Sequence, residues 1–369
     1  SALFSGVLNA TGRFAAAAAA PVLLNVFVIT AMAVAWAVEG EVITWLVWTV
    51  PLAGMAQLAL TWGAAARAGY PLRLGLPNWS PEMGQLLRTA IPAALATGVM
   101  QINLVVGQLV ASQYDNAVSW LFAADRLYQL PLGVVGIAVG IVLLPDLTRR
   151  LTAGDRIGAQ EAYSRASEFS MALTLPSAVA LMVIPLPLVS VLFERGATGA
   201  DDAAAIAVAV AIYGLGLPAF VLQKVVQPQY FARGDTRRPF HYALVAMVVN
   251  AAVAVGLAPV IGWMAPAIAT TLAGWAMLGL LYWGLRGMGD VVRVDDRYRQ
   301  RLPRIALAAV VMGAVLWGLA VLLQPALGTD YVRYAALLGL IVLGALSYFG
   351  TAHVVGGLPM ADLRRAVRR

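Results

Sequence analysis

Trp120-Leu121-Phe122-Ala123-Ala124-Asp125-Arg126-Leu127 sets two adjacent charges inside an apolar run that extends from Ala117 to Leu144. The nearest charge on the outer side of Arg126 is Asp115, eleven residues away, or roughly 16 Å at helical rise. An arginine side chain cannot snorkel that far. A charge at membrane depth costs about 2.5–3.5 kcal/mol on insertion scales, so the pair is expected to face the inside of a helical bundle. Adjacent residues of a helix point about 100° apart. Asp125 and Arg126 therefore cannot form a fork with one another, and one of them needs a different partner. Two readings stay open. The pair locks helices together through buried ionic contacts, or Arg126 faces a polar cavity and receives an anionic group, for which a planar two-pronged guanidinium is suited.

The rest of the chain repeats the apolar theme. It is 61% hydrophobic and 12% charged, against about 25% charged in soluble domains. Ten stretches are long and apolar enough to span a bilayer: 19–38, 43–66, 90–112, 117–147, 166–189, 203–226, 241–262, 264–284, 303–324 and 333–355. Residues 1–9 read as the second half of another. The chain has no cysteine, and its two histidines, His241 and His353, lie at distant span ends. Thiolate chemistry is excluded and a histidine metal site is not expected.

The net charge of +7 is distributed as topology, not as a nucleic-acid footprint. Of the 25 basic residues, 21 fall in alternate loops or the C-terminal tail, and only Arg195 and Arg333 fall on the opposite side. This is the positive-inside pattern. It predicts a multi-pass membrane protein with Arg13 and the C-terminus in the cytoplasm. The basic loops then meet anionic membrane lipids, and no nucleic acid is expected as a partner.

A weak internal repeat adds organisation. Arg13 precedes Asn25 by 12 residues, and Arg238 precedes Asn250 by the same 12, at an offset of 225. Both copies enter an outward-running span from the same side, as in parallel transporter repeats. The repeat implies six-span units. The predicted fold is therefore an all-α polytopic membrane bundle with two pseudo-symmetric six-helix lobes, the first incomplete, plus two C-terminal helices. The predicted divisions are 1–66 for the remainder of the first lobe, 67–89 for a cytoplasmic connector with a short helix at 81–89, 90–284 for the second lobe, 285–302 for a cytoplasmic loop and 303–369 for the extra helices and basic tail. By the same offset, roughly 135 residues are expected to precede Ser1.

Other polar residues inside spans are few. Lys224, the only lysine, stands near the inner end of a span beside Gln223 and Gln227. It either snorkels to the interface or supplies a second cation at the mouth of a cavity. Gln101 and Asn103 are mid-span amides that can bond between helices or line the same cavity. Asn250, Thr270 and Thr271 are weak candidates for Na⁺, because no carboxylate shares their spans. Pro131, Pro145, Pro176, Pro218 and Pro228 are expected to interrupt helices. No phosphate-cradling loop, HExxH or Ser/His/Asp set is present, so the chain reads as a non-enzyme without a cofactor.

Several stretches together resemble the MurJ/MviN family of lipid II flippases, within the multidrug/oligosaccharidyl-lipid/polysaccharide exporter superfamily. They are Ser119-Trp120 through Ala124-Asp125-Arg126-Leu127, Gly133-Val134-Val135-Gly136-Ile137-Ala138, Leu143-Leu144-Pro145-Asp146-Leu147, Leu175-Pro176-Ser177-Ala178-Val179-Ala180-Leu181, and Lys224-Val225 followed by Tyr230-Phe231-Ala232-Arg233-Gly234-Asp235-Thr236. Gly6-Val7-Leu8-Asn9, Arg13-Phe14 and Pro21-Val22-Leu23-Leu24-Asn25 also fit. The resemblance implies a fourteen-span protein of a bacterial cytoplasmic (inner) membrane that moves the lipid-linked peptidoglycan precursor to the outer leaflet by alternating access. It implies that Arg126 is the cavity arginine of the second lobe, with Asp125 orienting the helix, and that the last two spans line a groove for the lipid tail. Some members bind Na⁺ through carboxylates that have no counterpart beside Asn250, Thr270 or Thr271. Cell-wall synthesis proteins are the implied protein partners. A drug/cation antiporter of the same superfamily, a flippase for another polyprenyl-linked glycan and a non-transporting cell-wall scaffold are the alternatives.

Overall fold

The computed structural model describes residues 2–11, 13–70, 83–84, 101, 104–289 and 293–358. The predicted span 90–112 and the short helix at 81–89 fall largely outside the described residues. Every regular element described is helical. Among the described residues, seven helical stretches are long and apolar enough to cross a membrane. One of them, Arg237–Leu285, is interrupted by a 3₁₀ turn at Gly262–Met264. Gly262 adopts φ +61 there, a backbone that only glycine takes up readily, so the chain reverses and yields two helices.

The chain divides into two compact units, Ser1–Leu86 and Leu87–Arg369. The first contains α1 (Ala2–Ala10), α2 (Phe14–Ala37) and α3 (Val42–Arg67). Helices α2 and α3 pack side by side with α1 against both. Their buried positions are small: Ala20, Ala31 and Ala35 on α2, and Thr49, Ala53, Thr61 and Ala65 on α3. Lipid is as apolar as leucine, so such helices associate where small residues let the backbones approach. The threonines return their hydroxyls to carbonyls of their own helix, Thr49 to Trp45 O and Thr61 to Gln57 O.

The second unit holds α4 (Ala117–Thr152), α5 (Arg156–Val183), α6 (Pro185–Phe193), α7 (Ala200–Phe231), α8 (Arg237–Ile261), α9 (Ala265–Leu285), α10 (Asp296–Leu322) and α11 (Val332–Val354). Helix α7 is central and packs against α4, α5, α6 and α9. Helix α8 lies on α9, α10 on α5, and α11 on α10. The α7–α9 seam is stitched in both directions. Gln223 Nε2 and Tyr230 Oη on α7 donate to the carbonyls of Gly274 and Leu281 at 2.8 and 2.5 Å. Thr271 Oγ1 and Trp275 Nε1 on α9 donate to the carbonyls of Ile212 and Leu215 at 3.0 Å each. Interhelical bonds of this kind contribute on average about 0.6 kcal/mol each.

Two expectations are modified. The span predicted at 166–189 begins ten residues earlier, at Arg156, and stops at Val183. Pro185 lacks the N–H that would continue the helix, and α6 starts at that residue. Pro131, Pro145, Pro176, Pro218 and Pro228 sit inside uninterrupted helices. Neighbouring helices and local adjustment absorb a proline within a membrane bundle.

Candidate functional site

Asp125 and Arg126 lie in the third turn of α4. The face of α4 that packs on the bundle carries Leu121, Ala124, Tyr128, Val135 and Val139, all buried. Arg126 lies nearly opposite that face, at 100° per residue, is exposed, and does not line the cavity that Lys224 faces. Its guanidinium carbon stands 4.5 Å from the ring centroid of Phe122, one turn earlier and also exposed. Among the described residues no carboxylate pairs with it. The two neighbours do not bond one another, as helical geometry requires. Asp125 is half-buried and accepts a hydrogen bond from Gln129 Nε2.

Below Asp125 the helix is backed by aromatic rings. Tyr128 lies 5.6 Å from both the Tyr213 and Phe220 rings of α7. Phe220 in turn fills the space above Gly274 of α9, where an added Cβ would stand 2.8 Å from its ring. Of these rings, Phe220 lines a cavity of about 560 Å³ between α4, α7, α8 and α9. Its walls are mostly apolar, and its polar lining comes from Gln223, Lys224, Gln227, Thr236, Asn250 and Thr270.

Lys224 is exposed, and among the described residues its ammonium has no ion-pair partner. Its stem runs along α4, with Cγ 3.9 Å from where a Cβ on Gly136 would stand. Ten residues of α4 separate Arg126 from Gly136, about 15 Å at helical rise. Arg126 and the Lys224 stem, both without an ion-pair partner among the described residues, thus mark points about 15 Å apart along α4 and about 80° apart around it. Gln223, also on the cavity wall, commits its Nε2 to the α7–α9 seam. Gln101 is helical and exposed, while Asn103 lies outside the described residues.

The Na⁺ candidates separate into two groups. Asn250 is 2% exposed and donates to Thr270 Oγ1 at 3.3 Å; Thr270 donates to Pro266 O at 2.8 Å. Both face the cavity. Thr271 is turned to Ile212 on α7. No carboxylate lines the cavity among the described residues.

One charged cluster was not singled out in the sequence. Glu168 of α5 is 5% exposed. Arg297 holds both its oxygens, through Nε and Nη2 at 3.2 and 3.3 Å. Arg301 adds Nη1 at 2.5 Å, and Arg165 stands 3.7 Å away and also 3.6 Å from Asp295. Asp295 caps α10 by accepting from the Tyr298 amide, and its own amide donates to Ser164 Oγ at 2.9 Å. The cluster fastens the start of α10 to α5. The visible signal was the i,i+4 spacing of Arg297 and Arg301, which puts them on one helix face.

The sequence matches the family model described as Lipid II flippase MurJ over residues 1–338. The chain belongs to that family. A probable lipid II flippase MurJ from Rhizobium tropici is 40% identical over 374 residues, covering 100% of this chain and 70% of the relative. One from Rhizobium meliloti is 41% identical over 375 residues with the same coverage. Among solved structures, a lipid II flippase MurJ in an inward closed conformation superposes with a TM-score of 0.77 at 21% identity, covering 100% of this chain and 71% of that one. At that identity the likeness speaks for the fold. The MurJ family is one of multi-pass membrane transporters, not of enzymes, and its members serve peptidoglycan biosynthesis.

Proposed function

We propose that the chain moves lipid II across the cytoplasmic membrane by alternating access, and that Arg126 and Lys224 bind two acidic groups of its headgroup. The observation that carries this reading is the exposed guanidinium of Arg126, unpaired among the described residues and set within the apolar helix α4. A diphosphate satisfies its two-pronged donor geometry better than a point contact would. Asp125, held by Gln129, sets the local charge and keeps the carboxylate off Arg126. The headgroup also carries sugars and a peptide, and Lys224, about 15 Å along α4, meets a second acidic group at the cavity mouth. Gln227 and Gln101 add neutral hydrogen-bonding capacity, as Asn103 would. Asn250 and Thr270 serve first as an α8–α9 interhelical contact. Their use for Na⁺ would need further oxygen ligands.

The test of the second contact uses the full-length protein in proteoliposomes with lipid II and with its peptide-free analogue. Lys224→Gln is expected to slow transport of lipid II by about tenfold, the effect of losing one charge-assisted contact. If the second acidic group belongs to the peptide, the analogue should show no such loss. Equal transport of lipid II by Lys224→Gln and the parent would remove Lys224 from the site.

The orientation follows from the basic loops. With 21 of the 25 basic residues on one side, that side is cytoplasmic. Reporter fusions to the full-length protein after Arg369 and near Asp330 are expected to read cytoplasmic and periplasmic, respectively. The same location at both points would refute the assignment.

A further inference from the structure

A second basic pocket lies at the end of the unit that carries the α4–α5 and α7–α8 turns. Its volume is about 910 Å³, and Thr152, Arg156, Ile157, Gln160, Arg233 and Met288 line it. Three separate segments meet here. Gly154 (φ +76) turns the chain from α4 into α5, Gly234 (φ +74) turns it out of α7, and Met288 follows the end of α9.

The arginines of this pocket differ from their neighbours. Arg149 and Arg150 are held by Asp146 at 2.5 and 2.8 Å. Arg165 stands between Glu168 and Asp295, and Arg238 is paired with Asp235 at 3.4 Å. Arg156 and Arg233 have no carboxylate partner among the described residues. The two nearest acids in sequence are committed elsewhere. Asp155 caps the Gly158 amide at 2.8 Å and faces Arg150 at 3.4 Å. Asp235 accepts from the Arg238 amide in addition to its ion pair.

Arg233 is also half-buried. Among the described residues its Nη1 donates to the carbonyl and side-chain oxygen of Gln229, at 2.5 and 2.8 Å. Burial pushes its guanidinium below the ordinary arginine range. Removing a guanidinium from water without a counter-charge is unfavourable, and a phosphate supplies both the charge and the paired acceptors that the fork fits. Gln160 and Thr152 add neutral donors beside it. Ile157, 75% exposed next to Arg156, gives the rim an apolar edge suited to the glycerol and acyl ester region of a lipid.

We propose that this pocket binds a phosphate-bearing anion through Arg156 and Arg233, at a site separate from the Lys224 cavity. An anionic phospholipid headgroup and a soluble phosphate share this chemistry, and the experiment separates them. Full-length protein in neutral detergent is titrated with phosphatidylglycerol, phosphatidylcholine or inorganic phosphate, reading bound ligand by native mass spectrometry and melting temperature in parallel. Phosphatidylglycerol is expected to bind and to raise the melting temperature, with phosphatidylcholine inert. The double variant Arg156→Ala/Arg233→Ala is expected to bind phosphatidylglycerol about tenfold or more weakly and to lose the thermal shift. Gln160→Glu, which keeps both arginines and brings a carboxylate to the pocket wall, should show the same loss. It serves as the deciding variant if the double variant does not fold. Arg149→Ala should respond like the parent. A response to inorganic phosphate that equals that to the lipid, and is lost in the same variants, supports the site and assigns it to a soluble anion. Retention of the parent response in Gln160→Glu, or no response of the parent to either probe, overturns the proposal.

Discussion

Arg126→Ala in the full-length protein is expected to lose about a hundredfold or more in lipid II transport while inserting at parental levels. Each charge-assisted hydrogen bond contributes about 1.5–3 kcal/mol, and two such bonds to a diphosphate account for that factor. Arg126→Lys should recover only part of the activity, because the ammonium keeps the charge and loses the planar fork. The folded protein should tolerate the alanine. The guanidinium lies on the exposed side of α4 away from the packed face, stacked on Phe122, and holds no ion pair among the described residues. A structural tether would behave differently: the alanine variant would be degraded, and exchanging charges with its partner would restore it. Normal insertion together with cell-wall synthesis supported by Arg126→Ala as the sole copy would falsify the binding role.

Glu168→Ala should act on stability instead. The carboxylate is buried, and three arginines converge on it. Removing one side of a buried ionic cluster costs about 3–5 kcal/mol, so an apparent melting temperature lower by roughly 10 °C is expected. Glu168→Gln keeps the shape and some acceptor capacity and should fall between. Hydrogen exchange gives a local readout. The first turns of α10 should lose protection while the α7–α9 seam keeps it. A melting temperature and exchange pattern unchanged from the parent would show that Arg297 and Arg301 are held by other contacts.

Much of the bundle was legible because a bilayer demands it. Spans must be long, apolar and internally hydrogen-bonded, so α2, α3, α4 and α7 to α11 begin and end within a few residues of the stretches read from hydropathy, apart from charged extensions such as those of α7 and α10. The extension of α5 back to Arg156 was legible only in part, since its first turns are charged and lie outside the apolar run. Its break at Ile184 has a local cause in Pro185. A hydropathy window averages over that cause.

The candidate site was less legible. Asp125 and Arg126 stand out because charge inside an apolar run is conspicuous without a structure. That the Lys224 stem lies on Gly136 is a contact across 88 positions and has no local signature. Thr270 and Thr271 are equivalent by composition, yet a step of about 100° around α9 sends one to Asn250 and the cavity and the other to α7. Glu168 escaped notice because a carboxylate near a span boundary resembles ordinary loop charge until its partners on α10 are in place.

The central position of α7 bears on how this sequence can change over evolutionary time. Helices α7 and α10 have similar mean hydropathy, 2.3 and 2.5, but 56% of the α7 span is buried against 33% for α10. A side chain facing lipid has a solvent that accepts many apolar replacements. One facing another helix has a fixed shape to match. A Cβ added at Gly214 would come within 3.1 Å of Leu181 Cβ and 3.2 Å of the Ala178 carbonyl, and Ala209 and Ala219 are wholly buried. Substitutions in α7 are therefore expected to accumulate more slowly than in the outer faces of α8, α10 and α11, even though all four helices read alike on a hydropathy scale. A substitution record in which α7 varies as freely as those outer faces would show that its packing is less restrictive than these contacts imply.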